Sequence, residues 1–149
     1  MIGVANSYKT SSELVKVANE LIAYLAQKQG KTLPDGKPVE FNEVMLSYVI
    51  LHSIDIEILL KAIYLSDYDQ SVTGHNWKEP FDKLTATSQT EIISKMNATY
   101  QADFTNLLEK NSNTFIEWRY SYEAKSLSCD LSFVQNFANV LAEVARSRC

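Results

Sequence analysis

The chain has 149 residues, a formal net charge of −4, 46% hydrophobic residues and 21% charged residues. These values are typical of a single globular domain, which we predict to span residues 1–149, and they exclude a disordered chain. The negative charge disfavours indiscriminate binding to phosphate backbones, which requires clustered Lys and Arg. With 4 Gly and 3 Pro, the chain has few turn residues for a many-stranded sheet, and this favours long helices.

The sequence argues against a metal site and against a membrane-spanning segment. Cys129 and Cys149 lack the spacing of a zinc site or of a disulfide framework. The two histidines lie far apart, so we expect no metal, and without a P-loop or a G-x-G-x-x-G motif we expect no cofactor. The N-terminus lacks a basic start followed by an apolar run, and charged residues interrupt the most apolar segment, residues 44–65. We therefore expect a cytoplasmic protein that does not enter a membrane.

The first predicted helix begins at a capping box. Thr10 and Glu13, in T-S-S-E, can each satisfy a backbone group of the other at a helix start, which predicts a helix from Ser11 to about Gln29. Gly30 then ends this helix, and a P-D-G turn follows. Apolar residues recur along it at steps of three and four: Leu14, Val17, Ala18, Leu21, Ile22 and Leu25.

The second predicted helix runs from about Asn42 to Leu65. It is apolar around most of its circumference, which is typical of a helix surrounded by others at the centre of a bundle. Glu57 and Lys61 are spaced i,i+4 and can form an ion pair. His52 lies on the opposite side, and we expect it to be buried and hydrogen-bonded.

Three further helices follow a polar loop at residues 66–80. Ser88 and Glu91 form a second capping box that opens a helix to about Tyr100. Residues 103–123 are predicted to be helical, with a break at Asn111–Asn113.

Asp130 caps the last predicted helix, and the fold class follows from the whole pattern. The sequence predicts an all-α, up-and-down bundle of about five helices without a strand. The inward stripe of the last helix consists of Phe133, Val134, Phe137, Val140, Leu141 and Val144.

The segment FIEWRYSYE, residues 115–123, concentrates aromatic and charged residues. Phe115, Trp118 and Tyr122 share one helix face, which we expect to close the core. Arg119 and Glu123 are i,i+4 on the neighbouring face. Two interpretations stay open: Arg119 ties helices together, or it is presented to an anionic ligand.

The loop GHNW contains the second histidine. Gly74 before His75 predicts a tight turn that holds the imidazole, together with the indole of Trp77, against the bundle. One interpretation is a loop anchor in which Trp77 fills the core. The other is a catalytic role for His75.

The helix HSIDIEILLKAIYL, the loop TGHNWKEPFDKL and the segment FIEWRYSYE, in this order, resemble the HEPN domains, which are helical bundles of prokaryotic defence and toxin systems. The resemblance covers about residues 42–146. Its most specific marks are E-x-x-x-K-A, the Gly-His pair followed by F-D-K-L, and R-Y-x-Y-E; they comprise Glu57, Lys61, Ala62, Gly74, His75, Arg119, Tyr120, Tyr122 and Glu123.

The resemblance implies particular site residues. Many HEPN domains are metal-independent ribonucleases in which an Arg and a His shortly beyond it share one helix, and dimerisation joins two such pairs. Arg119 matches the Arg, but Ala124, Lys125 and Ser126 occupy the positions of the His. If the chain is an enzyme, catalysis falls to Arg119, His75 and Glu123, provided that the His75 loop folds back against Arg119. Otherwise we expect a structural clasp of Glu57, Lys61, Arg119, Tyr120 and Glu123.

Two specific functions stay open from the sequence, and a third possibility is an accessory role in phage defence or another role that the sequence does not identify. The favoured one is a non-catalytic HEPN-like binding protein of the immunity or antitoxin type, which neutralises a basic nuclease toxin and does not bind nucleic acid directly. The alternative is a HEPN ribonuclease or nucleotide-binding module of a phage-defence system, and a homodimer is compatible with either. The expected partner-binding residues are Tyr64, Asp67, Tyr68, Asp69, Trp77 and Glu79.

Overall fold

The computed structural model describes residues 2–28, 41–100, 103–120 and 129–149, and every regular element within these ranges is a helix. The predicted all-α fold is therefore confirmed, with five helices of eight residues or more and two shorter ones. No helix in these ranges combines the length and apolar character needed to cross a membrane. The helices are α1 (Ile2–Lys28), α2 (Phe41–Tyr68), α3 (Lys78–Asp82), α4 (Ala86–Thr99), α5 (Phe104–Asn111), α6 (Thr114–Arg119) and α7 (Leu131–Arg146).

Helix α1 begins well before the predicted capping box, so that prediction is wrong. Its first turns pack on α2, where Val4 is completely buried and a Cβ on Gly3 would lie 2.7 Å from Leu65 Cδ2. The Ser11 hydroxyl donates a hydrogen bond to the buried Asp55 carboxylate of α2. This tertiary packing extends the helix past a sequence that could have capped it. The predicted Gly30 terminus lies outside the described residues.

Helix α2 is the central helix, as predicted. Its core-facing residues Ile56, Leu59, Leu60 and Ile63 are fully buried. His52 is buried as expected, but both of its ring nitrogens lack a hydrogen-bond partner among the described residues, so the expected hydrogen bond is wrong.

The N-terminus of α4 differs from the prediction by one turn. The cap is Thr85, whose hydroxyl accepts a hydrogen bond from the Ser88 amide at 3.2 Å. Ser88 is instead buried inside the helix and donates to Asp67 at 2.7 Å. Both residues can cap a helix, and contacts with α2 determine which one does.

The predicted break before α6 and the predicted cap and inward stripe of α7 are confirmed, whereas α6 ends at Arg119. The chain breaks between α5 and α6 at residues 112–113, and the Asp130 carboxylate accepts the Phe133 amide at 3.0 Å to cap α7. Every residue of the predicted inward stripe of α7 is buried. Phe133 and Phe137 stack on each other, and Phe104 of α5 packs against both rings.

Side-chain pairs fix the direction of the long helices. Helices α4 and α7 are antiparallel, since Lys95 pairs with Glu143 at 2.6 Å and Tyr100 lies 3.2 Å from Asp130. Helices α1 and α2 are also antiparallel, because Gly3 lies against Leu65 and Ser11, further along α1, bonds to the earlier Asp55 of α2. Helix α7 runs parallel to α2, because it contacts α2 near the start of both helices and again near their ends: Tyr48 with Gln135, and Asp67 with Arg148. The long helices α1, α2, α4 and α7 therefore alternate in direction along the chain, as in an up-and-down bundle.

Candidate functional site

Glu57 of α2 lies at the centre of a polar cluster. Lys61 Nζ donates to Glu57 Oε1 at 2.7 Å, which confirms the predicted i,i+4 pair. The Nδ1 atom of His75 lies 3.0 Å from each Glu57 carboxylate oxygen. The partner that we expected Arg119 to provide for this carboxylate is therefore the His75 imidazole, next to Lys61. The Glu57 side chain is 13% exposed and that of His75 is 50% exposed.

The loop before α3 positions His75. Gly74 has a φ of +104°, which an L side chain rarely adopts, and it turns the chain just before His75. On the other side of His75, the Trp77 amide donates to the Ser112 carbonyl at 3.0 Å, and Asn76 Nδ2 donates to the Ser112 hydroxyl at 3.2 Å. The loop is thus tied to the α5–α6 connection.

The Trp77 side chain fills the core, as in the loop-anchor interpretation. It is completely buried, and its ring meets that of Phe137 edge-on at 6.2 Å between centroids. Trp77 therefore cannot serve as the partner-binding residue that the sequence also suggested. The buried Trp77 side chain anchors the loop, and His75, two residues earlier, is thereby held close to Glu57 of α2.

Helix α6 places the Phe115 ring against His75 and the Arg119 guanidinium against the same Phe115 ring. The His75 and Phe115 ring centroids are 5.6 Å apart, and Arg119 Cζ lies 5.1 Å from the Phe115 centroid. Arg119 Nη2 also donates to the Tyr120 hydroxyl at 3.1 Å, and the guanidinium lies 4.7 Å from the Tyr120 ring. The loop has thus folded back onto Phe115 of α6, and the described contacts include none between His75 and Arg119 themselves.

The clasp expected around Arg119 differs from the observed arrangement. Arg119 is exposed and contacts aromatic rings, whereas Glu57 and Lys61 pair with each other beneath His75. Trp118 is half-buried rather than part of the central core, and its indole nitrogen has no partner among the described residues. The predicted roles of Tyr122 and Glu123 lie outside the described residues.

Glu57, His75 and Arg119 together are suited to proton transfer on an anionic ligand that binds at Arg119. A His75 proton on Nδ1 is held by the Glu57 carboxylate, which leaves Nε2 as the proton acceptor. Within the described residues, Nε2 makes no hydrogen bond to the chain. Arg119 offers a planar guanidinium suited to phosphate or carboxylate. No group of three His, Cys, Asp or Glu that could hold a metal ion occurs in the described ranges.

Asp67, predicted to bind a partner, is instead buried in a polar network. Arg148 Nη1 donates to Asp67 at 2.8 Å, and the Thr85 amide donates at 2.9 Å. Burial acts to raise the Asp67 pKa, but the hydrogen bonds from Thr85 and Ser88 and the charge of Arg148 together hold the pKa below its ordinary value. The Asp67 side chain is 6% exposed, so its assignment to a contact surface is wrong.

The other residues expected at a partner surface are divided between core and solvent. Tyr64 packs against the core, with its ring 4.8 Å from that of Tyr68, which is 43% exposed. Asp69 is exposed and has a positive φ of 53°, and the exposed Glu79 accepts from Lys83 at 2.9 Å. Tyr68, Asp69 and Glu79 remain available for such a surface.

Sequence reasoning missed Arg148 altogether. Arg148 joins Asp67 and Glu91, which lie 81 and 57 positions away along the chain. No local pattern connects residues so far apart, and only the parallel packing of α7 on α2 brings them together.

No known family, curated protein or solved structure matches this chain.

Proposed function

We propose that this chain is a HEPN-like ribonuclease that cleaves RNA without a metal ion, using the Glu57–His75 pair and Arg119. The observation that carries the proposal is an imidazole held by a carboxylate, with an exposed guanidinium against the same Phe115 ring. The sequence favours a non-catalytic protein because no His follows Arg119 along the chain. In this proposal His75, from a different segment of the chain, supplies the imidazole that is missing after Arg119.

The proposed reaction needs one group that both accepts and donates a proton. His75 Nε2 takes the proton from a ribose 2′-hydroxyl, and the 2′ oxygen attacks the adjacent phosphorus. The bond from phosphorus to O5′ breaks, which yields a 2′,3′-cyclic phosphate. The proton passes to O5′ from the imidazolium of this chain or of a second copy. Arg119 stabilises the charge on the phosphate oxygens as it develops.

The test is incubation of the purified protein with total tRNA in the presence of EDTA. We expect cleavage that leaves 5′-hydroxyl and 2′,3′-cyclic phosphate ends. His75→Ala and Arg119→Ala should each reduce the rate about 100-fold or more. Arg146→Ala, an exposed Arg on α7, is the matched control and should cleave as the wild type does. Intact tRNA after incubation with the wild-type protein would contradict the proposal.

The second candidate is an immunity or antitoxin protein that binds a basic nuclease toxin. It is supported by the exposed Tyr68 next to the exposed Asp69 at the end of α2, in a chain of net charge −4. An exposed aromatic beside carboxylates is suited to a basic partner.

This candidate has its own test. With a genetically linked toxin, Asp69→Lys together with Tyr68→Ala should slow association and weaken its salt dependence. Glu20→Lys, at an exposed position on α1, serves as the charge-matched control. Asp67 is unsuitable for this test because its substitution would disrupt the buried network. Equal association rates for the wild type and the double variant would argue against this surface.

A further inference from the structure

A polar cavity of about 340 Å³, open to solvent, lies between α1, α2 and α7, apart from the Glu57–His75 cluster. It shares no lining residue with that cluster. Its volume falls in the range of small-molecule sites. The polar lining residues are Asn19, Tyr48, His52, Gln135, Asn136 and Asn139.

His52 is the residue of this cavity that most needs a partner. It is 5% exposed, and neither ring nitrogen has a hydrogen-bond partner among the described residues. Burial lowers the pKa of the imidazole, so the ring is neutral at pH 7 and carries one donor and one acceptor. Tyr48 covers the ring, with 4.2 Å between their centroids. A buried polar group without a partner is rare in folded proteins and points to a group that the described chain does not supply.

The rest of the lining is rich in carboxamides. Gln135 donates to the Tyr48 hydroxyl, and Asn136 Nδ2 donates to the Ser132 carbonyl at 2.8 Å. Asn19, Gln135 and Asn139 are exposed to solvent, and the side chains of Asn19 and Asn139 make no hydrogen bond to the described residues. Each carboxamide offers both donors and an acceptor. None of the lining side chains carries a full charge at pH 7, so the cavity has no partner for a phosphate or an ammonium group.

We propose that this cavity binds a neutral sugar or polyol. Each hydroxyl of such a ligand donates and accepts, which matches the carboxamides, the Tyr48 phenol and the neutral imidazole. Among the lining residues, Tyr48 and Val15 offer apolar surface, too little to sandwich a flat nucleobase. Both His52 nitrogens are buried under Tyr48 in this conformation, so a ligand hydroxyl reaches them only if the Tyr48 ring moves. This inference goes beyond the proposed ribonuclease activity and does not depend on it.

The first experiment is saturation-transfer NMR of the full chain with glucose, galactose, mannose, N-acetylglucosamine and maltose. We expect at least one of these sugars to bind. Asn139→Ala and Asn19→Ala should each weaken that binding about fivefold, the effect of one neutral hydrogen bond. Asn97→Ala, an exposed Asn on α4, is the matched control and should bind as the wild type does. No transfer to any of the sugars, or equal binding by the cavity variants, would overturn the proposal.

The second experiment observes the imidazole itself. With ¹⁵N-labelled histidine, the sugar that binds should shift the His52 ring nitrogens and leave those of His75 unchanged, because His75 lies outside the cavity. A shift confined to His75 would place the sugar elsewhere and overturn the assignment. Adenosine serves as the competing ligand. If it displaces the sugar and binds more tightly, the cavity is a base-binding site and not a sugar site.

Discussion

Asp55 is an acidic side chain inside the bundle that no cation neutralises among its described contacts. Burial raises its pKa to about 6, and the hydrogen bond from Ser11 opposes this shift only in part. The second carboxylate oxygen of Asp55 has no partner among the described residues. Between about pH 4 and pH 6 the folded chain therefore binds more protons at Asp55 than the unfolded chain does. This proton binding by Asp55 stabilises the folded chain. The stabilisation is complete at pH values below 3.8, the ordinary pKa of an Asp side chain, and is lost as the pH rises through about 6.

We predict that Asp55→Asn stabilises the protein at neutral pH. The amide keeps an acceptor for Ser11 and removes the buried charge, for a gain of up to about 3 kcal/mol in the free energy of unfolding, equivalent to a shift of roughly two pKa units. Urea unfolding between pH 4 and pH 8 measures the effect. The variant should lose the fall in stability that the wild type has between about pH 4 and pH 6. An unchanged slope would show that Asp55 is not the group responsible.

His52 affects the same titration in the opposite direction. Because burial lowers the pKa of His52, its contribution to the stability is lost as the pH falls.

At the scale of elements, the loop before α3 positions His75 at Glu57. Asn76 Oδ1 accepts the amides of Lys78 and Glu79 at 2.9 and 3.1 Å, and its Nδ2 donates to Asn113 at 2.6 Å. One side chain therefore starts α3 and also binds the loop to the N-terminus of α6. His75, the residue just before Asn76, depends on this fixation to reach Glu57.

We predict that Asn76→Ala lowers the free energy of unfolding by about 1–2 kcal/mol, the effect of losing a helix cap. It should also reduce tRNA cleavage more than this loss of stability explains, because His75 is no longer held at Glu57. Asn97→Ala serves as the control for replacing an exposed Asn. Urea unfolding and the cleavage assay are compared for both variants. Full activity of Asn76→Ala at a temperature where it remains folded would contradict the positioning role.

The elements themselves were largely predictable from the sequence, because their signals are local. The apolar stripe of α7, its Asp130 cap and the break before α6 are each read from one continuous stretch of sequence. Capping boxes are less informative, since Thr85 and Ser88 both suit a helix start and tertiary contacts choose between them. The site depends on contacts between segments: His75 lies 18 residues from Glu57, and its approach requires a loop conformation that no periodicity encodes.

At the scale of the whole molecule, Arg148 joins the C-terminal end of α2 to the N-terminal half of α4. Its guanidinium donates to Asp67 at 2.8 Å and to Glu91 at 2.9 Å, and its side chain is 17% exposed. Removal of Arg148 would leave the Asp67 charge buried without its cation. The contact therefore contributes to the stability of three helices at once.

We predict that Arg148→Ala lowers the free energy of unfolding by about 2–3 kcal/mol, at the low side of the range for a broken buried pair because Arg148 is partly exposed. Arg146→Ala, an exposed neighbour, should change it by less than about 0.5 kcal/mol. Chemical unfolding of both variants provides the comparison. Equal stabilities would show that the network contributes little.

The packing of α7 on α2 has a consequence for synthesis on the ribosome. Apolar side chains of α2 are covered by α7, a helix that is translated more than sixty residues later. Until α7 emerges, the nascent α1–α2 pair exposes a surface that would otherwise be core, and such surfaces aggregate or recruit chaperones. Folding of the bundle is thus completed only after α7 has been made, and a ribosome stalled before α7 would hold a chain that proteases readily cleave.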